Sequence, residues 1–196
     1  MSYFVKETEP VWETIEEVIL PQMPSFTQNE LEMGVGNCSL ASMVRLLGYF
    51  RNAEGAPFPD DTALYQAVKR AAAKRGYQAA GRGTPFYNIA GILSAVLSEY
   101  GYPGTGKSRY VWSFSGVKKT IDAGLPVIFN IAFGHYKNHT VTVVGYKIVT
   151  DGIEKKKLLA VYDGWTKNIR YIDVKHLHIG SITFVTRQKR KKGDIT

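Results

Sequence analysis

Cys38 is the chain's one cysteine, so whatever thiol chemistry the protein has rests on it alone. A thiol is useful as a thiolate, and a helix N-terminus favours that form because its unsatisfied amides and dipole attract negative charge. Asn37 can cap a helix in which Leu40, Met43, Val44 and Leu47 recur at helical spacing, which places Cys38 in the first turn. A nucleophilic thiol also needs an imidazole to exchange its proton and a polar group to hold that imidazole in one tautomer. His139 opens a run, Thr140-Val141-Thr142-Val143-Val144-Gly145-Tyr146, that reads as a strand and would mount the ring rigidly. Asp163 ends the next strand, so pairing across the hairpin could bring its carboxylate to the ring. From the residues alone, a small buried hydrophobe remains the competing role for a lone cysteine.

Two other patterns invite chemistry. Gly101-Tyr102-Pro103-Gly104-Thr105-Gly106-Lys107-Ser108 satisfies the phosphate-loop pattern G-x-x-x-x-G-K-[ST], and the segment ending at Asp163 could supply a magnesium carboxylate. A phosphate loop needs a strand before it and a helix after it, whose amides point at the phosphates. Here helical periodicity precedes the motif and Arg109-Tyr110-Val111-Trp112 reads as a strand, so the order is reversed and nucleotide binding is disfavoured. In His176-Leu177-His178 a strand would put both imidazoles on one face, as metal ligands require, yet no third ligand stands nearby. Surface or edge-strand histidines are the plainer reading, and neither a metal nor an organic cofactor is expected.

The elements that must hold these groups follow from pattern. Val11–Leu20 reads as a short amphipathic helix ending at Pro21, followed by an extended linker through Pro24. Further helices are predicted over Asp61–Arg75 and Tyr87–Tyr100, and a shorter one over Val117–Ala123 that Gly124 closes. Strands are predicted over Val127–Ala132, His139–Val149, Lys157–Tyr162, Ile169–Val174 and Ser181–Thr186, with a turn at Asp151-Gly152. Helices first and antiparallel strands second imply an α+β fold.

Composition narrows the classes. With 196 residues, 44% of them apolar, the chain can bury a real core, and no apolar run reaches the roughly 18–20 residues of a membrane span. Of the net charge of +8, residues 187–196 hold +4, so the body is only mildly basic. That block reads as a solvated tail, and a nucleic-acid partner is not expected. One cysteine excludes a disulfide framework and a multi-thiolate zinc site. The glutamate-rich first twenty residues do not read as a secretory signal, which points to the cytoplasm unless a leader was removed.

Three blocks together resemble papain-like cysteine peptidases, nearest the soluble, bacterial bacteriocin-processing (double-glycine leader) branch. They are Gly36-Asn37-Cys38-Ser39-Leu40-Ala41-Ser42-Met43, His139 through Tyr146, and Asp163-Gly164-Trp165, with Val117–Asn130 resembling the element before the histidine strand. The likeness spans about residues 22–186. It implies a helical lobe (about 22–105) carrying Cys38 against a β lobe (about 106–186) carrying His139 and Asp163, after an N-terminal extension (1–21) and before a basic tail (187–196). It also implies a thiol hydrolase acting on a peptide or protein substrate, with Cys38, His139 and Asp163 catalytic and Trp165 shielding the pair.

Two departures stand out. The family's oxyanion glutamine lies about six positions before the cysteine, where this chain has Glu32. Gln28, ten positions before, is the substitute donor if the stretch Glu30–Gly36 loops out, and Ser39 replaces a frequent glycine. Alternatives are a cell-wall amidase or endopeptidase, or a catalytically dead binding domain. The 101 positions between Cys38 and His139 favour the peptidase over the amidase.

Overall fold

Residues 12–32, 36–79, 81, 83–134, 136–177 and 179–187 are described by a computed structural model of the chain. The first element corrects an expectation: Glu13–Ile19 is a strand, β1, rather than part of a helix over Val11–Leu20. Its β-branched residues Thr14, Ile15, Val18 and Ile19 suit a half-exposed edge. The long strand His139–Thr150 offers it an open ladder, from Glu13 opposite Thr150 to Ile19 opposite Gly145. Hydrogen bonds to a distant segment outweighed a weak local helical pattern.

Then come four helices. They are the single turn α1 (Gln28–Leu31), α2 (Cys38–Glu54), α3 (Asp61–Ala73) and, after a 3-10 turn at Phe86–Asn88, α4 (Ile89–Glu99). Asp60 caps α3 by accepting from the amides of Thr62 and Ala63, both at 3.0 Å. Gly55 ends α2 in the left-handed conformation. α2 is buried along the whole of Ser39–Phe50, the signature of a helix packed on all sides. Leu40, Leu46 and Leu47 are fully buried there, each worth roughly 1.5–3 kcal/mol of transfer free energy.

Strand β2 (Gly104–Arg109), helix α5 (Phe114–Asp122) and strands β3 (Val127–Ile131), β4 (His139–Thr150), β5 (Lys155–Tyr162), β6 (Arg170–Asp173) and β7 (Gly180–Arg187) complete the described chain. The strands run in the order β2-β7-β3-β4-β5-β6, every pair antiparallel, with β1 alongside β4 beyond the end of β3. The expected α+β architecture is present, helices mostly N-terminal and an antiparallel sheet after them. One apolar cluster joins the two halves: Leu40, Leu47 and Phe50 of α2 share it with Leu93 of α4 and with Phe129, Val141 and Ile182 of the sheet.

The phosphate-loop lookalike is mostly a strand. Gly104 to Arg109 pair residue by residue with β7, so the strand begins earlier than the predicted Arg109–Trp112 and ends at Arg109. Its glycine serves packing: a Cβ at Gly106 would lie 2.3 Å from the carbonyl oxygen of Ala90, where α4 crosses β2. The Gly106 amide donates to Ser94 Oγ at 3.0 Å instead of facing a ligand. Val174–His176 is a 3-10 turn rather than the strand on which two histidines would share a face, and Leu177 turns into the core. His178 and the tail beyond Arg187 lie outside the described residues. Among the described residues no cluster of three or more His, Cys, Asp or Glu side chains could hold a metal ion, and no helix is long and apolar enough to cross a membrane.

Candidate active site

Cys38 is the first residue of α2, half-buried at the helix N-terminus where the amides have no intrahelical acceptors. Asn37 occupies the cap position without capping: its Nδ2 donates to the carbonyls of Gln28 (3.3 Å) and Glu32 (2.8 Å). The capping expectation is thus corrected, because the side chain is used to hold the α1 turn against the start of α2. One turn further on, Ser42 Oγ donates to the carbonyl of Thr140 (3.2 Å), and Thr142 Oγ1 faces the carbonyl of Ser42 (3.5 Å). These bonds join α2 to β4 four residues after Cys38 and one residue after His139.

His139 is delivered by a tight turn in which Lys137 (φ +38°) and Asn138 (φ +61°) both adopt left-handed backbone conformations. The residue is 7% exposed and its ring is near enough to Cys38 for the two to shift each other's pKa. Burial alone would raise the thiol's pKa, but the hydrogen bond and charge of His139, with a smaller contribution from Thr140, bring it below the ordinary thiol value. Burial likewise opposes the charged imidazole, yet Cys38 and then Asp163 raise the pKa of His139 above its ordinary value. The two shifts together favour a thiolate–imidazolium pair.

Asp163 meets the ring through a different atom from the one expected. His139 Nε2 lies 2.6 Å from the main-chain carbonyl oxygen of Asp163, which leaves Nδ1 for the thiol and makes Nε2 the donor to that carbonyl. The carboxylate, buried to 1% exposure, instead accepts from the Trp165 amide (2.9 Å) and lies against Arg170 Nε (3.2 Å), with the Tyr136 hydroxyl at 3.4 Å. Burial first, then the Asp163 charge, holds the Tyr136 hydroxyl protonated well above its ordinary range. The expectation of a carboxylate–imidazole bond is therefore corrected. A carboxylate shaping the Asp163-Gly164-Trp165 turn can aim the carbonyl without touching the ring itself. Trp165 stacks on His139 with ring centroids 4.7 Å apart, and Tyr136 stacks at 5.3 Å.

Glu32 turns away to Lys69, whose Nζ lies 2.6 and 2.8 Å from its two carboxylate oxygens. Gln28 is bracketed by the site. Its carbonyl accepts from Asn37, its amide donates to the Gly164 carbonyl (2.8 Å), and its Oε1 is buried without a partner beside Gly164. Residues 33–35, on which the looping-out partly depends, lie outside the described residues.

Sequence reasoning passed over three residues that hold this arrangement: Tyr136, Arg170 and Arg45. Arg45 is fully buried in α2, donates to the carbonyls of Pro24 (3.2 Å) and Phe26 (2.7 Å), and lies over the rings of Phe26 and Tyr162. Desolvation pulls its pKa down to about 10, so it stays charged at neutral pH. An arginine in an otherwise apolar helical stretch was the available signal. Nothing comparable marked Tyr136 or Arg170, whose roles depend on where the β5–β6 connection passes.

On the other side of His139 a cavity of about 690 Å³ opens between the Thr84–Tyr87 segment and the sheet. Ser39 Oγ donates to Thr84 Oγ1 at 2.8 Å. Gly36 (φ +84°) lies so close to Gly83 that a Cβ would come within 3.0 Å of its nitrogen, so the segment is held against the start of α2.

No curated protein matches the chain. Among solved structures, the peptidase domain of Streptococcus ComA, a bi-functional ABC transporter involved in a quorum-sensing pathway, is similar at 12% identity and a TM-score of 0.48, covering 80% of this chain and 96% of that one. Residues 21–180, most of the chain and all of the groups around Cys38 and His139, match the Peptidase_C39-like family, and the chain belongs to that family.

Proposed function

We propose that the protein is a thiol hydrolase, a cysteine peptidase that cleaves peptide amide bonds through an acyl-enzyme. The reading is carried by the placement of Cys38 at the start of α2, whose Ser42 Oγ donates to the Thr140 carbonyl (3.2 Å) and so holds that end of the helix against the start of β4 at His139; the lowered thiol pKa and raised imidazole pKa accord with it. In this reading the Cys38 thiolate attacks the scissile carbonyl, and His139 passes its Nδ1 proton to the leaving amine. His139, then neutral, removes a proton from water as the water attacks the thioester, and the thiolate leaves to restore the pair. Its Nε2–H stays on the Asp163 carbonyl throughout, which holds the ring in one orientation. The Cys38 amide and the Gln28 side-chain amide would bind the oxyanion. Asp163 acts as a positioning residue through its turn.

The experiment is digestion of a mixed peptide library with wild type and with Cys38→Ala, read by mass spectrometry, with acid quenching to trap the acyl-enzyme. Cleavage by wild type alone, with an adduct on Cys38, is expected. The Lys69-bound Glu32 favours a second reading, a binding domain without turnover. That reading gains if wild type forms no adduct and cleaves nothing, whereas a loss of cleavage in Gln28→Ala, with retained alkylation of Cys38, supports the oxyanion role.

A further inference from the structure

We infer that Arg45 is a positioning residue for the oxyanion donor: from the middle of α2 it holds the main chain that leads into Gln28, and so sets Gln28 against Cys38. The inference rests on the peptidase reading and adds a residue to it. Arg45 lies seven positions after Cys38, almost two full turns, so both side chains leave α2 on one face, their Cα atoms about 10 Å apart. The guanidinium reaches residues 23–27, a stretch that belongs to neither helix nor strand. No ladder supplies donors there, and Arg45 does, from Nε to the Pro24 carbonyl at 3.2 Å and from Nη2 to the Phe26 carbonyl at 2.7 Å. Gln28 follows two residues later as the first residue of α1. Because Gln28 stands ten positions before Cys38, the intervening chain cannot fix it by itself, and an anchor from the body of the helix does so.

The choice of arginine is the informative part. Its neighbours Val44 and Leu46 are fully buried and apolar, and a methionine at 45 would fill the same space without the cost of desolvating a charge. A methionine lacks the planar fork that bonds two carbonyls and stacks on rings at once. The guanidinium carbon lies 4.4 Å from the ring centre of Phe26 and 4.9 Å from that of Tyr162, with Nη1 buried and without a partner. Tyr162 directly precedes Asp163, so one side chain of Cys38's helix grips both the arm of Gln28 and the arm that supports His139. The two arms are bonded to each other as well. Ser25 Oγ donates to the Lys167 carbonyl (3.0 Å), the Gln28 amide to the Gly164 carbonyl (2.8 Å), and Lys167 Nζ meets Glu30 at 2.6 Å. Those bonds register Gln28 against the Asp163–Lys167 turn, and Arg45 registers it against Cys38.

The test compares wild type, Arg45→Lys, Gln28→Ala and the double variant on one cleavable peptide, with iodoacetamide alkylation of Cys38 and thermal melts alongside. Lysine keeps the charge but has one nitrogen in place of the fork. Deleting an oxyanion donor costs about 100-fold or more in kcat, so Arg45→Lys, which displaces the donor, should lower kcat about tenfold, with KM and the alkylation rate within about twofold of wild type. In the Gln28→Ala background the same change should lower kcat by no more than about twofold further, since the two residues act as one unit. Unchanged turnover in Arg45→Lys or in Gln28→Ala, a full tenfold loss repeated in the Gln28→Ala background, or alkylation falling in step with turnover would overturn the inference. If Arg45→Lys does not fold, Phe26→Leu, which removes one ring face beneath the guanidinium, takes its place with the same signs expected. If wild type cleaves no peptide, the peptidase reading fails separately, and amide exchange followed by NMR decides the placement. Faster exchange of the Gln28 amide in Arg45→Lys, with the α3 amides unchanged, retains it, and equal exchange removes it.

Discussion

The two sides of His139 are built to opposite ends. On one, the main-chain carbonyl of Asp163, the stacked rings of Tyr136 and Trp165, and the Asp163–Arg170 ion pair fix the imidazole. On the other, Phe86, Tyr87, Tyr110 and Ile179 leave a cavity of about 690 Å³ open. A proton-transfer group must hold one geometry to a fraction of an ångström, so its supports are buried and mutually bonded. The cavity walls hold no proton-transfer group in place, so they can stay exposed. Mutations on the first side should therefore lower turnover and stability together, whereas mutations in the exposed walls of the second should leave the imidazole's supports intact.

The largest break expected on the closed side, short of removing Cys38 or His139, is Asp163→Ala. It deletes the acceptor for the Trp165 amide and the buried carboxylate that Arg170 Nε meets at 3.2 Å. Stability should fall by about 3 kcal/mol, and turnover on the order of 100-fold, equivalent to roughly 2.7 kcal/mol of barrier. Asp163→Asn keeps an acceptor for the amide and should recover most of both. Thermal melts run beside peptide turnover check this. A carboxylate acting directly on the ring would lower turnover in Asp163→Ala with no loss of stability, contrary to the geometry.

A second measurement sharpens the same contrast through pH. Because the Cys38 pKa is lowered, the thiolate is present above that lowered value and is lost as pH falls through it. Because the His139 pKa is raised, the imidazolium is present below that raised value and is lost as pH rises through it. The ion pair, and whatever stability it contributes, belongs to the window between them. Iodoacetamide should thus alkylate Cys38 at pH 6 about tenfold faster than a simple thiol of pKa about 8.5. His139→Ala should abolish that advantage. Equal rates for Cys38 and the simple thiol would falsify the activated-thiol reading.

Trp165→Ala removes one stacked ring and should lower turnover about fivefold on all peptides, in line with roughly 1 kcal/mol for an aromatic contact, with Trp165→Phe close to wild type. Parallel assays on several unrelated peptides check that the loss is uniform. The smallest effect, none, is expected from ATP with magnesium, since the lookalike motif is a paired strand. A ligand at a hundred times its Kd would stabilise by about 2.7 kcal/mol, so an unchanged melting temperature is readily distinguished from binding.

What could be read without the structure were the features that local physics sets. Helical spacing through Leu40, Met43, Val44 and Leu47 placed Cys38 at the start of α2, and the alternating valines after His139 defined β4. Both signals are strong because one face or both of each element is buried, leaving a periodic apolar pattern. The reversed element order around Gly101–Ser108 was also legible, although the strand's true start was not, since Gly106 is explained only by the helix that crosses it. β1 was misread because its partner lies more than a hundred residues away and a half-exposed edge carries little periodicity. Tertiary structure alone decided that Asp163 offers His139 its carbonyl and keeps its carboxylate for Trp165 and Arg170. Residue type names the groups an aspartate owns, whereas the path of the β5–β6 turn chooses which of them faces the ring. The cavity was equally invisible, because its walls come from the α3–α4 connection, the residue after β2 and the start of β7. Contacts among segments so far apart have no period in the chain, and only the packed sheet and helices bring them to one place.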